Sequence, residues 1–547
     1  MTPWERFLGL IEMEKKDILQ IFYFAIFSGL VTLSLPLGIQ SIINLIQGAQ
    51  VSSSWIVLVI LVTIGVIFSG GLQLMQFRII ETIQQRIFVR ASFDLTYRFP
   101  KIKMSELFNY YPPELANRFF DTLTIQKGLS KILIDIPTAL LQIIFALLLL
   151  SFYHPFFIIF GALLLLLIFV VFKYTAQKGL VTSLEESKNK YKVAHWIQEV
   201  ARAFVSFKLS GNTKLALNKN DVVVNDYLKS REKHFKVLVL QYIQMISFKV
   251  LVTAGLLLMG GALVLYQEMN IGQFVAAEII ILLVIASVEK LILGLETFYD
   301  VLTSIEKIGQ IVDKELEDQM GEKPHFIPHS QITLENVSYR APDREKKILS
   351  NISFTIKDKS RILIEGEAGA GKSTLLKILT GVLVPTGGNI FLNELSLNSI
   401  NLNHYRSHLG MALAEETPFE GTIRENLTFG NKNITDDEIY SVLEKVKLIS
   451  FLRSQPKGLN TVIYPQDQRI STTMAKKIVL ARAIIKKPQL LVLEDPLDHF
   501  NEDEAKQIID YLTDKSNPWA LVVVSVNSYW RKNSDEIINL VKGEIKK

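Results

Sequence analysis

The chain has 547 residues, 49% of them hydrophobic, which is length for several domains and too apolar for an ordinary soluble protein. Its 59 Lys and Arg against 54 Asp and Glu leave only +5, spread over many segments, which argues against nucleic acid as a partner. With no cysteine, disulfides and thiolate metal sites are excluded.

The N-terminal stretch MTPWERFLGLIEMEKKD mixes acids and bases and lacks a short apolar core with a small-residue cleavage site, so no cleavable signal is expected. It reads as a short amphipathic helix. Trp4, Phe7, Leu8 and Leu10 face lipid at a membrane surface, or the helix is an ordinary surface one. Six apolar runs of about 20 residues follow, near 18–46, 54–77, 131–153, 155–175, 242–266 and 271–295. Lipid offers backbone groups no partner, so these runs must be helical. The connections 47–54, around His154, and 268–270 carry no Lys or Arg, whereas 78–131 and 173–236 are rich in both. That asymmetry places the two long connections and both termini in the cytoplasm.

Each long connection reads as a helical hairpin about a turn, Tyr111-Pro112-Pro113 in the first and Ser210-Gly211-Asn212 in the second. The tips, Glu114 to Phe119 and Asn212 to Leu217, are placed to touch a soluble domain. In the sixth run Glu278, Glu289 and Lys290 stand among aliphatic residues. Charge there lines a translocation path, or belongs to a helix already leaving the membrane, or pairs across a dimer.

From about Asp300 the apolar runs shorten and charge rises through Lys314 to Asp318. This gives a membrane domain over 1–300, a linker over 301–328 closed by Pro324 and Pro328, and a soluble domain over 329–547. Gln331 to Tyr339 and Ile352 to Ile356 alternate as strands, and Tyr339, at a strand end, is a candidate to stack on an adenine.

The apolar Ile362-Leu363-Ile364 then leads into Gly366-Glu367-Ala368-Gly369-Ala370-Gly371-Lys372-Ser373-Thr374 and a helix-like Leu375 to Leu379. Strand, glycine-rich loop and helix in this order cradle phosphates: backbone N–H groups turn inward, Lys372 reaches the outer phosphates and Ser373 ligates magnesium. Helices are expected near 435–453 and 473–486. Leu490 to Leu493 reads as a buried strand that ends in Glu494-Asp495, where one carboxylate orients the metal and the next polarises the attacking water. Ala520 to Ser525 adds another buried strand to an α/β P-loop NTPase-like domain.

With these residues in view, the chain resembles an ABC exporter half-transporter. RFLGLIEMEKKDIL, LPLGIQSIINLI, VSFKLSGNTK and NIGQFVAAEIIILLVIASVEKL are similar to exporters of type I secretion systems, the haemolysin and bacteriocin translocators, without their N-terminal peptidase-like domain. GTIRENLTFG from Gly421 and the run Leu480 to Ala483 resemble the family's nucleotide-binding domain. The resemblance implies a multidomain membrane protein, with a six-helix transmembrane domain followed by a nucleotide-binding domain, in a bacterial inner membrane. It also implies a dimer, with ATP and Mg2+ held between the phosphate loop and a signature motif around Ser471 of a second half-transporter; a homodimer is favoured, and a heterodimer is the alternative. Membrane lipid and a periplasmic adaptor protein are the other implied partners.

Against that pattern, the signature position reads Ile470-Ser471-Thr472-Thr473-Met474, where only the serine matches and two β-branched residues replace glycines. Ala414 stands at the glutamine of the Q-loop, Val526 at the switch histidine, and Asp498-His499-Phe500-Asn501 at an altered D-loop. Glu494-Asp495 reverses the usual Asp-Glu pair, and withdrawing the base by about 1.5 Å can cost on the order of a hundredfold in rate. The expected function is an exporter subunit that binds ATP and hydrolyses it slowly or not at all. The alternative is a non-hydrolytic ATP-binding membrane scaffold.

Overall fold

In the computed structural model Thr2 opens the first helix, α1 (Pro3–Met13): its hydroxyl accepts from the Glu5 amide while the Glu5 carboxylate accepts from the Thr2 amide. The structure describes residues 2–47, 53–324, 330–342, 344–464, 470–498 and 500–546. They form two units, Met1–Pro100 with Tyr110–Lys314, and Lys101–Asn109 with Glu315–Lys547.

The first unit is helical: α2 (Lys15–Thr32), α3 (Ser34–Gln47), α4 (Ser53–Arg98), α5 (Pro112–Asn117), α6 (Asp121–Ser151), α7 (Phe156–Arg202), α8 (Phe204–Leu209), α9 (Leu215–Leu265) and α10 (Ile271–Val312). Among the described residues five helical segments are long and apolar enough to cross a membrane, Lys15–Gln47, Ser53–Lys101, Pro112–Ser151, Leu215–Leu265 and Ile271–Val312. The run expected near 155–175 lies on α7, where Phe156–Leu166 is apolar. Side chains at 167 and 170–172 fall outside the described residues, as do 48–52 of the first expected loop and Pro328 of the expected linker.

Three features differ from the sequence reading. Phe7 is buried against Phe298 of α10, and Arg6 pairs with Glu306 and Asp313 near that helix's end, so α1 turns its central residues to protein while Trp4 and Leu8 stay exposed. Helix α10 continues without a break through Asp300, where a linker was expected, to Val312, and the units divide between Lys314 and Glu315. The first long connection is not one hairpin. Helix α4 stops at Arg98, ahead of Pro100, and Lys101–Asn109 joins the second unit, where Ile102 bridges Leu316 and Lys103 pairs with Glu315.

Glu289 of α10 pairs with Lys249 of α9 in the same chain, an arrangement the sequence left open. Glu114 at the start of α5 meets His195 of α7 at 2.8 Å.

The second unit carries β1 (Ile332–Tyr339), β2 (Leu349–Ile356), β3 (Arg361–Glu365), α11 (Lys372–Leu379), β4 (Gly387–Leu392), β5 (Leu395–Ser396), α12 (Leu402–Ser407), β6 (Leu409–Ala412), β7 (Gly421–Thr422), α13 (Ile423–Thr428), α14 (Asp436–Lys445), α15 (Ile449–Ser454), β8 (Val462–Ile463), α16 (Thr472–Ile485), β9 (Leu490–Glu494), α17 (Glu502–Thr513), β10 (Ala520–Val524), α18 (Tyr529–Lys532), β11 (Glu536–Val541) and β12 (Glu544–Lys546). A four-stranded antiparallel sheet runs β2-β1-β4-β5, and a six-stranded sheet runs β12-β11-β3-β10-β9-β6.

The second sheet is parallel except at β12. Its central strands read ILI, LLVLE and ALVVV because both faces are covered, which removes the alternation of a half-exposed strand. Val524 lies beside Ile364 on one side and Glu494 on the other. The carboxyl ends of β3, β9 and β10 therefore bring the glycine-rich loop, the acidic pair and Val526 to one edge, where ligands of open parallel sheets bind.

Candidate nucleotide-binding site

The chain leaves β3 at Glu365 and passes close under β11. A Cβ on Gly366 would lie 2.2 Å from the Leu540 carbonyl oxygen, so this exit admits only glycine. Gly371 caps α11 at φ 101°, the left-handed region that favours glycine, and a Cβ there would meet a Leu349 methyl at 2.8 Å. Between them Ala370 is buried and anchors the loop, while Glu367, Ala368 and Gly369 are exposed.

Lys372 curls back so that Nζ donates to the carbonyls of Gly366 at 2.7 Å and Glu367 at 2.9 Å. Ser373 is exposed on the first turn of α11 and Thr374 is half-buried behind it. Gly369, Gly371, Lys372, Ser373 and Thr374 line one pocket of about 430 Å³. Its wall is a helix N-terminus with a lysine and two hydroxyls, a donor set suited to an anion.

Glu494 ends β9 almost fully buried, and its Oε2 accepts from the Ala414 amide at 3.2 Å. Asp495 follows at φ 41°, uncommon for a non-glycine residue, with its amide donating to the Val524 carbonyl at 2.8 Å. Its Oδ1 is buried and has no hydrogen-bond partner. Burial raises the Asp495 carboxyl above its ordinary value, and the carboxylates of Asp498 and Glu494 push the same way against Lys476 and Lys372.

Lys476 is a residue the sequence reading missed. From the second turn of α16 its Nζ donates to the Asp495 carbonyl at 3.0 Å and stands 3.6 Å from Asp498. A lysine four residues after Thr472 is the only signal the sequence offers, and it does not name a partner on another element. Ser471 is the N-cap of α16 and accepts from the Met474 amide at 3.2 Å, with Thr472 exposed and Thr473 half-buried behind it.

Glu415 pairs with Lys377 at 2.8 Å, and Glu416 is pushed up by burial while Arg482 stands 3.9 Å away. Both acids beside Ala414 are thus engaged. Val526 is 86% exposed. Asn501 caps α17, and His499 lies outside the described residues.

Tyr339 is a correction. It is 4% exposed in the core between the two unlike sheets, and its remaining edge opens on a different pocket, with Val382 and Pro385, away from the phosphate loop. Its ring has no free face for an adenine.

The description "ABC transporter transmembrane region" is matched over residues 18–288 and "ABC transporter" over 349–498, which together take in most of the chain. The chain belongs to the ABC transporter family. The ATP-dependent lipid A-core flippase of Bordetella avium is 28% identical over 246 residues, covering 45% of this chain and 42% of its own length. The leukotoxin translocation ATP-binding protein of Mannheimia glucosida is 25% identical over 305 residues, 56% of this chain and 43% of that one. The ABC chain thus spans about two fifths of the length of the first curated relatives it matches. Its fold is that of a bacterial Atm1-family ABC exporter solved with ATP bound, at a TM-score of 0.85 and 16% identity over 97% of this chain and 94% of that one.

It is a multi-pass membrane protein with an exporter-type transmembrane domain followed by a nucleotide-binding domain. ATP with Mg2+ is the cofactor of an ABC domain. The residues present fit it: a glycine-held cradle with Lys372 at its centre, an exposed Ser373 hydroxyl, and a buried Asp495 oxygen that lacks a partner. Ser373 and Glu494 are the candidate residues that would hold Mg2+, which would supply charge neutralisation at the phosphates.

Proposed function

We propose that this chain is the ATP-binding half of a dimeric exporter in a bacterial inner membrane, with its termini and phosphate loop in the cytoplasm, and that it binds ATP but hydrolyses it slowly. One observation carries this reading. The phosphate loop is built with its lysine and hydroxyls in place, while at the same sheet edge Ala414 offers only a methyl and Val526 an exposed isopropyl group. Phosphoryl transfer depends on positioned polar groups around the γ-phosphate and the attacking water. Neither alkyl group can orient water or hold charge. Asp495 retains a carboxylate, but on a shorter arm and with its ionised form disfavoured.

A homodimer fits this reading, since a second copy brings its own Ser471 and Thr472 to face the loop. The proposed cargo is a polypeptide or lipid-like molecule, in keeping with relatives named for lipid A-core and leukotoxin, and a periplasmic adaptor is a proposed partner. The test is phosphate release by the purified protein in lipid nanodiscs, beside nucleotide binding and a Lys372→Ala control. Tight binding with turnover slow but above the control supports the exporter. Binding with no turnover above the control turns the reading to the non-hydrolytic scaffold, and fast turnover overturns the slow-hydrolysis claim.

A further inference from the structure

The phosphates of a nucleotide are common to all triphosphates, and only the base tells ATP from GTP or CTP. Proteins read a base by stacking it on an aromatic ring and bonding its edge. Among the described residues that line the pocket above the phosphate loop there is no aromatic ring. Tyr339 is buried and borders another pocket, and Ala341, two residues on, carries a methyl that is itself buried.

The same wall is strongly positive. Arg344, Lys346, Lys347 and Lys542 surround Lys372, and no carboxylate is among the described lining residues. Those four outer cations are exposed, and none has an ion-pair partner among the described residues. Ile348 is the aliphatic contact left for a base, and an aliphatic contact does not distinguish purine from pyrimidine.

We infer that this site reads the triphosphate and not the base, so that it takes purine and pyrimidine nucleoside triphosphates and inorganic tripolyphosphate with similar affinity. The inference rests on the nucleotide-binding reading above and narrows it: binding energy comes from charge, which is salt-dependent and indifferent to the base.

Isothermal titration of the full-length protein in nanodiscs, with Mg2+ and with ATP, GTP, CTP or sodium tripolyphosphate at two salt concentrations, tests it. The expected dissociation constants for the three nucleotides lie within about threefold of one another, where a stacked base adds about tenfold or more. Tripolyphosphate is expected to compete, and all four ligands to weaken together as salt is raised. The triple variant Arg344→Ser, Lys346→Ser, Lys347→Ser is expected to weaken every ligand by about tenfold or more with no change in rank. ATP binding at least about tenfold tighter than GTP and CTP overturns the inference and leaves the nucleotide-binding reading standing. Failure of all four to bind overturns both.

Discussion

Lys476 of α16 donates its ammonium to the backbone carbonyl of Asp495 at 3.0 Å, and so ties the helix after Ser471 to the left-handed turn that follows β9. A non-glycine residue in that conformation costs about 1–2 kcal/mol. A charge-assisted hydrogen bond to its carbonyl offsets a cost of that size.

Replacing Lys476 by Met is therefore expected to loosen the turn. Hydrogen exchange in the peptide spanning Glu494 to Leu497 is predicted to accelerate by about tenfold, the equivalent of roughly 1.4 kcal/mol of local stability. Unchanged exchange would show that the tie contributes nothing.

Asp495→Asn removes a carboxylate that burial and two acidic neighbours disfavour. A carboxyl raised in the folded state contributes stability at low pH that is lost as pH rises through its folded value. The variant is thus expected to be more stable than the parent at neutral pH, by on the order of 1 kcal/mol. The gap should close as pH falls below the ordinary carboxylate range. Thermal melts at several pH values measure it, and a gap that widens on acidification has the wrong sign for this account.

Lys372→Ala deletes the only side-chain cation within the cradle's loop while leaving α11 its best helix former. Loss of charge-assisted bonds worth about 1.5–3 kcal/mol predicts a weakening of nucleotide binding by about 10- to 100-fold. Titration of both proteins under one salt condition checks this, with unaltered melting of the ligand-free chain as the control.

Gly366→Ala places a Cβ 2.2 Å from a backbone oxygen of β11, which cannot swing aside, whereas the same position on Gly369 meets nothing within 4 Å. The first change is predicted to destabilise the second unit by about 1–3 kcal/mol. Gly369→Ala carries only the cost of its positive φ. Comparing the two melting temperatures separates contact from conformation.

Lys249 and Glu289 join α9 to α10, each about one-third exposed. Either single alanine variant is expected to cost about 1–3 kcal/mol by leaving the partner's charge uncompensated, and the double variant to recover part of that loss. A double-mutant cycle in detergent-solubilised protein gives the coupling. Strict additivity would mean that the pair is not energetically joined.

The order of apolar runs, the glycine-rich loop between β3 and α11, and the acidic end of β9 were legible because each is a pattern within a few consecutive residues. Helix periods, caps and loop chemistry act at that range, and α14 to α16, β9 and β10 lie where their patterns put them. Tyr339 shows the limit: a strand-end tyrosine ahead of a phosphate loop looks available, yet the pleat directs its ring into the core.

The sequence by itself determined that this chain spans a membrane and grips a triphosphate, since both follow from composition and local backbone geometry. Tertiary structure alone decided that Lys476 holds Asp495, that Lys249 neutralises Glu289, that Phe7 faces α10, and that Lys101–Asn109 belongs with the second unit. Each of these joins residues from different elements, and which side chains meet across such distances is fixed by how helices and sheets pack, not by the spacing of residues along the chain.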